Sequence, residues 1–188
     1  MESGNEKTKA ILREIRAWVI SISAALFLGY FVNTFVIAHA TVPTASMNNT
    51  VMAGNHILAN RLAYVFSDPA RFDVVAFSCP DGGDTMYLKR IIGLPGEVLE
   101  IRNGNVYINE SAVPIYEWYL LEPPAGWSLI NQRFYIPYGS YFVMGDHRNN
   151  SKDSRGLGAN AWENSFIPRE NILGRVFFTF FSQAGRVR

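Results

Sequence analysis

Thr44 and Ser46 put two hydroxyls two residues apart in "VPTASM", Val42 to Met47. In an extended segment alternate residues point the same way, so both hydroxyls can face one carbonyl group. Pro43 favours that geometry by biasing Val42 toward extended backbone. A serine hydroxyl is a weak nucleophile until a base takes its proton, so the chemistry turns on which base the chain supplies. His39, His56 and His147 stand in no recognisable triad motif, and the sequence holds neither an HExxH pair nor a glycine-rich phosphate loop. The other candidate is Lys89, in "MYLKRIIGLPG". If that stretch is a strand, Tyr87, Lys89 and Ile91 share one face and Leu88, Arg90 and Ile92 the other. A lysine desolvated among apolar neighbours loses its proton more readily and becomes a base. An ordinary strand lysine reaching for water is the competing reading, and the local sequence leaves both open.

Two kinds of element must position these groups. Ala17 to Ala38, "AWVISISAALFLGYFVNTFVIA", runs for about 22 residues without a charge, enough for a helix across a hydrocarbon core of roughly 30 Å. Trp18 lies at its near end, where an amphipathic ring suits the interface. Lys7, Lys9, Arg13 and Arg16 precede the run, and no Lys or Arg follows it until Arg61. The positive-inside bias therefore puts residues 1–16 in the cytoplasm, a transmembrane helix at 17–38 and the domain 39–188 on the far side, with Ser46 close to the bilayer. Ala38-His39-Ala40 resembles a small-x-small cleavage site, but the apolar run exceeds the roughly 7–15 residues of a secretory signal's core, so a retained anchor is expected.

Past Thr50 the chain is cut into short stretches rich in β-branched and aromatic residues: 56–66, 73–79, 85–93, 133–138, 140–146 and 172–181. Asn103-Gly104 inside "EVLEIRNGNVYIN" signals a hairpin, and Leu94-Pro95-Gly96-Glu97 a type II turn. The expected domain is mainly β and antiparallel. Ser111–Gln132, rich in proline and tryptophan, reads as an irregular excursion, and Gly145–Pro168 as a long polar loop of the kind that often carries function. Seventeen Lys and Arg against sixteen acidic residues argue against a nucleic-acid binder, and a single cysteine, Cys79, excludes an internal disulfide and a multi-cysteine metal site.

Together, "VPTASM", "RFDVVAF", "YLKRIIGLPGE" and "GDHRNNSKDSR", in that order behind an N-terminal anchor, closely resemble the type I signal peptidases of bacteria. The resemblance reaches from the anchor to Val176-Phe177. It implies a β-barrel-like catalytic core, with Ser46 as nucleophile and Lys89 as general base of a Ser–Lys dyad. Thr44 and the Ser46 backbone N–H would donate to the oxyanion, and Ser151 would hydrogen-bond the lysine. Asp146, Arg148, Asp153, Arg155 and Arg90 would support the site. The implied partners are signal-peptide-bearing preproteins, cut after Ala-x-Ala sites, and membrane lipid, with no nucleic acid, metal or cofactor. The implied setting is a monomer spanning the bacterial cytoplasmic membrane once. Three positions depart from the pattern: Asn49 stands where proline is frequent, which should loosen the following turn, and His147 and Asn149 stand where Asn and Asp are common. The loop after Arg155 is also longer and more polar than the pattern leads one to expect. Two rivals are a repressor-type autoprotease, which would need a DNA-binding module in place of the anchor, and a tethered β domain without chemistry.

Overall fold

The computed structural model describes residues 2–78, 86–156, 166–181 and 185–187, so Cys79, Thr85 and residues 157–165 of the long loop lie outside the described residues. Two compact units make up the chain, Met1–Ile37 and Ala38–Arg188.

In the first unit, helix α1 covers Glu2–Phe31 and runs on through a π-helical turn, Val32–Val36. The span Lys9–Val36 is long and apolar enough to cross a membrane, and its Trp18, Leu26 and Phe27 side chains are exposed. The helical stretch stops two residues short of the expected Ala38. Ile37 and Ala38 open strand β1, Ile37–Thr41, whose backbone groups pair with the next strand instead of continuing a helical ladder. Ala38 is buried there, and the Ala38-His39-Ala40 stretch is part of the strand at the sheet's edge.

In the second unit the strands are β2 (His56–Asn60), β3 (Val74–Ser78), β4 (Met86–Gly93), β5 (Val98–Arg102), β6 (Asn105–Ile108), β7 (Gln132–Tyr135), β8 (Ser140–Met144), β9 (Ile167–Pro168), β10 (Ile172–Phe180) and β11 (Gly185–Arg186). The larger sheet has the order β1-β2-β10-β3-β4-β8-β9, with β11 also paired to β10, and β6-β5-β7 form a smaller one. β10 is antiparallel to both β2 and β3, and β4 to both β3 and β8. Register shifts in β10 (Ile172/Gly174 and Val176/Phe178) and in β4 (Ile91/Gly93) bend the large sheet into an open half-barrel with β1 and β9 as its ends, the barrel-like form expected.

The turn chemistry works as its residues require. Asn103 and Gly104 both have positive φ, 50° and 79°, as a type I′ hairpin demands, and Arg102 pairs with Asn105. Gly96, at φ 79°, takes the left-handed position of the Leu94–Glu97 turn. One expectation is shortened: the strand expected over 56–66 ends at Asn60, whose side chain accepts from the Leu62 N–H and starts a 3₁₀ turn, Arg61–Tyr64. Among the described residues, three apolar clusters fill the domain. The first, around Val42, Met47, Ile57, Ala76 and Leu88, underlies the Ser46 turn. The third packs Leu99, Ile101 and Phe134 of the small sheet against Ile92 and Phe142 of the large one.

Candidate active site

After β1 the chain passes through Val42, whose N–H donates to Asn55 O, and enters a single 3₁₀ turn, Ala45–Met47. Met47 is fully buried in the first cluster and anchors this turn from below. Ser46 sits on the turn, and β4 presents Lys89 to it. Lys89 Nζ lies 2.5 Å from Ser46 Oγ. As an ammonium the lysine donates to the hydroxyl; as a neutral amine it can accept the hydroxyl's proton. Thr44 Oγ1 shares a hydrogen bond of 3.2 Å with the same Ser46 Oγ, and Thr44 is exposed to solvent.

Lys89 is only 3% exposed. Burial lowers its pKa from the ordinary 10.5; nearby Asp153 and Asp146 oppose the shift, Arg155 adds to it, and the group comes to rest at about 8. Among the described residues it has no salt bridge, so its charge is the one that can be given up. A cavity of about 330 Å³ opens beside the pair, walled by apolar Ala40, Val42, Ile57, Met86 and Leu88.

The remaining motif residues form an adjoining buried network. Arg90 meets Asp146 with two bonds, Nε to Oδ1 at 2.9 Å and Nη2 to Oδ2 at 2.7 Å. Its Nη1 donates to Phe72 O at 2.8 Å, and its guanidinium lies 4.0 Å from the Tyr119 ring centre. The Thr50 hydroxyl donates to Asp146 Oδ2 and accepts from Arg90 Nη2. Arg148 pairs with Glu117 through both terminal nitrogens. Arg155 grips Asp153 with two 2.8 Å bonds and also reaches Arg148 O at 2.9 Å. Burial alone would raise the Asp153 carboxyl; the Arg155 charge and bonds outweigh it and hold the group below the usual carboxylate range. Asp153 Oδ2, already bonded to Arg155, also accepts from the Gly145 N–H at 3.0 Å.

Gly145 is required by closeness of approach. A Cβ there would stand 2.2 Å from Ser151 Oγ and 2.5 Å from the Ser46 carbonyl oxygen, far inside contact distance. Ser151 is buried against this glycine, its hydroxyl close enough to Asp153 to help hold that carboxylate charged, and the hydrogen bond to Lys89 that the resemblance implies is not formed among the described residues.

Asn49 does not loosen its turn. It takes φ 86°, which a proline ring cannot adopt, and its Nδ2 donates to Tyr119 O at 3.0 Å. Glu117, Tyr119 and Thr50 were not singled out by sequence. The first two lie in the irregular excursion, where no period or motif marks them, and Thr50 is an unremarkable polar residue. Only the bonds formed on folding identify them.

Residues 15–181 match the family model "Signal peptidase, peptidase S26". The chain is 36% identical to a probable signal peptidase I-1 of Synechocystis, an alignment covering 85% of this chain and 79% of that protein. It is 31% identical to signal peptidase IB of Staphylococcus aureus, over 90% of this chain and 91% of that one. A crystal structure of a signal peptidase I from Enterococcus faecalis shares 31% identity over 58% of this chain and 97% of its own, with a TM-score of 0.46.

Proposed function

The chain belongs to the signal peptidase family, peptidase S26, hydrolases that remove signal peptides from preproteins, and from that premise we propose how its own residues do so. Ser46 is the nucleophile and Lys89 its base. The neutral amine takes the Ser46 proton as Oγ attacks the scissile carbonyl, and the resulting ammonium returns it to the departing amine. That leaves an acyl-enzyme on Ser46, which water, deprotonated by the same lysine, then hydrolyses. The Thr44 hydroxyl and the Ser46 N–H donate to the oxyanion. Asp146, Arg148, Asp153, Arg155 and Arg90 support the site through their ion pairs.

A single observation carries this assignment: the 2.5 Å separation of Nζ and Oγ around a lysine that is buried without a salt-bridge partner among the described residues. The apolar walls of the adjoining cavity fit small aliphatic side chains, in keeping with cleavage after Ala-x-Ala, with the substrate extended along Ala40–Thr44. The helix Lys9–Val36 is the anchor in the bacterial cytoplasmic membrane, with residues 1–16 inside and the catalytic unit outside, acting as a monomer.

Incubating the full chain in detergent micelles with an exported precursor tests the assignment. Wild type should release the mature protein with a new N-terminus after the Ala-x-Ala site, and Ser46→Ala should not. A folded wild type that leaves several precursors uncut, or an active Ser46→Ala, overturns it. A reporter that works only outside the cytoplasm, fused after Arg188, should be active; an active cytoplasm-only reporter would reverse the topology.

A further inference from the structure

We propose that His147 is a positioning residue that aims the backbone N–H of Ser46 at the oxyanion, an inference that rests on the hydrolytic reading above. The His147 backbone N–H donates to Ser46 O at 3.1 Å, and its ring Nδ1 lies 3.3 Å from Ala45 O. Those two oxygens belong to the peptide units on either side of the nucleophile. A trans peptide is planar, so the Ala45 carbonyl and the Ser46 N–H point in opposite directions and turn together. Whatever holds the Ala45 oxygen on one side fixes where the Ser46 N–H points on the other.

The bond to Ala45 O needs the ring proton on Nδ1. That oxygen also accepts the turn bond from Asn48 N–H at 3.0 Å, so the imidazole is a second, lateral restraint on a unit the turn already holds. The ring in turn has its own neighbours. Its Nε2 is 3.3 Å from Glu122 Oε1, a contact that becomes a hydrogen bond when Nε2 also carries a proton, and that oxygen accepts a 2.7 Å bond from Asn149 Nδ2. Asn149 Oδ1 accepts from Ala125 N at 2.8 Å and from the Ser128 hydroxyl at 2.6 Å. The irregular excursion is thus connected through one imidazole to the peptide that carries the oxyanion donor. His147 and Asn149 are two of the positions at which this chain departs from the motif it otherwise follows, and Glu122 meets both.

The test measures kcat and KM of the full chain in micelles on a precursor peptide, together with the affinity for a peptide aldehyde. The aldehyde's hemiacetal oxygen calls on the same donor as the transition state. His147→Leu keeps the backbone N–H and the bulk but loses the ring donor. It should lower kcat about tenfold at unchanged KM and weaken the aldehyde by a similar factor, less than the roughly 10²–10³ of a lost donor because only its aim relaxes. His147→Asn, with an amide N–H able to reach the same carbonyl, should recover most of the rate. The proposal is overturned by a His147→Leu kcat within about twofold of wild type, by a loss carried in KM, or by no recovery in His147→Asn. A melting temperature that falls in every variant with kcat unchanged would also overturn it, since the contact would then only brace the excursion. Should His147→Leu fail to fold, His147→Ala against His147→Asn makes the same comparison. An inert wild type would mark failure of the hydrolytic reading, whereas an active wild type with indifferent His147 variants removes only this inference.

Discussion

Lys89 and Arg90 are consecutive in β4, both buried, and their side chains leave opposite faces of the strand. On Arg90's side the charge meets a bidentate carboxylate, a carbonyl oxygen, a hydroxyl and an aromatic face. On Lys89's side the amine meets, among the described residues, one hydroxyl, with carboxylates near enough to be felt but making no salt bridge to it. A buried charge that is fully paired stays charged and fixes geometry. A buried charge left short of partners drifts toward its neutral form, and a neutral amine is what a serine needs. In the proposed mechanism the same burial makes a support on one face and a base on the other.

The largest effect comes from making Lys89 resemble its neighbour. Lys89→Arg installs a guanidinium that cannot lose its proton, and precursor cleavage should fall by about 10⁴-fold or more with the domain still folded. Cleavage near the wild-type rate would dissolve the contrast between the two faces.

Breaking the paired side should damage stability. Asp146→Ala strands the Arg90 charge, and denaturant unfolding should show a loss of about 3–5 kcal/mol. Replacing both partners, Arg90→Met with Asp146→Ala, should restore a good part of it. A single variant as stable as wild type would mean that Arg90 is satisfied without its carboxylate.

Thr44 tests whether the reactive side needs more than its base. Thr44→Val should lower kcat by roughly 10²–10³, about 3–4 kcal/mol, with little change in KM, and Thr44→Ser should recover most of the rate. A Thr44→Val enzyme as fast as wild type would remove Thr44 from the oxyanion site.

The smallest effect is a gain. With its pKa near 8 in the fold and 10.5 as the ordinary value, Lys89 binds its proton less tightly when folded. Its burial therefore costs stability in full below pH 8, and the cost fades as pH rises from 8 toward 10.5. Lys89→Met should stabilise the inactive protein by up to roughly 3 kcal/mol at pH 7, shrinking in melts at pH 10. An equal gain at both pH values would assign it to packing instead. The wild-type kcat/KM should fall about tenfold per pH unit below that same pKa, as the base is protonated.

Much of this was legible before folding because it depends on neighbours in the chain. The apolar run marks a helix able to span a bilayer, Asn103-Gly104 marks the hairpin, and Pro95-Gly96 the turn. The motif order pointed to Ser46 and Lys89. Alternation along β4 could say that Lys89 and Arg90 leave opposite faces, but not what each face would meet. That was decided by contacts across sequence: Ser46 to Lys89 over 43 residues, Thr50 to Asp146 over 96, Glu117 to Arg148 over 31. Glu117, Glu122 and Tyr119 come from a stretch with no period to read, and Gly145 matters only because Ser46 O and Ser151 fold up against it. A pKa follows the same division: residue type sets the starting value of 10.5, and only the packed interior, by withdrawing water from one cation and supplying a carboxylate to the next, lets Lys89 give up its proton and holds Arg90 charged and in place.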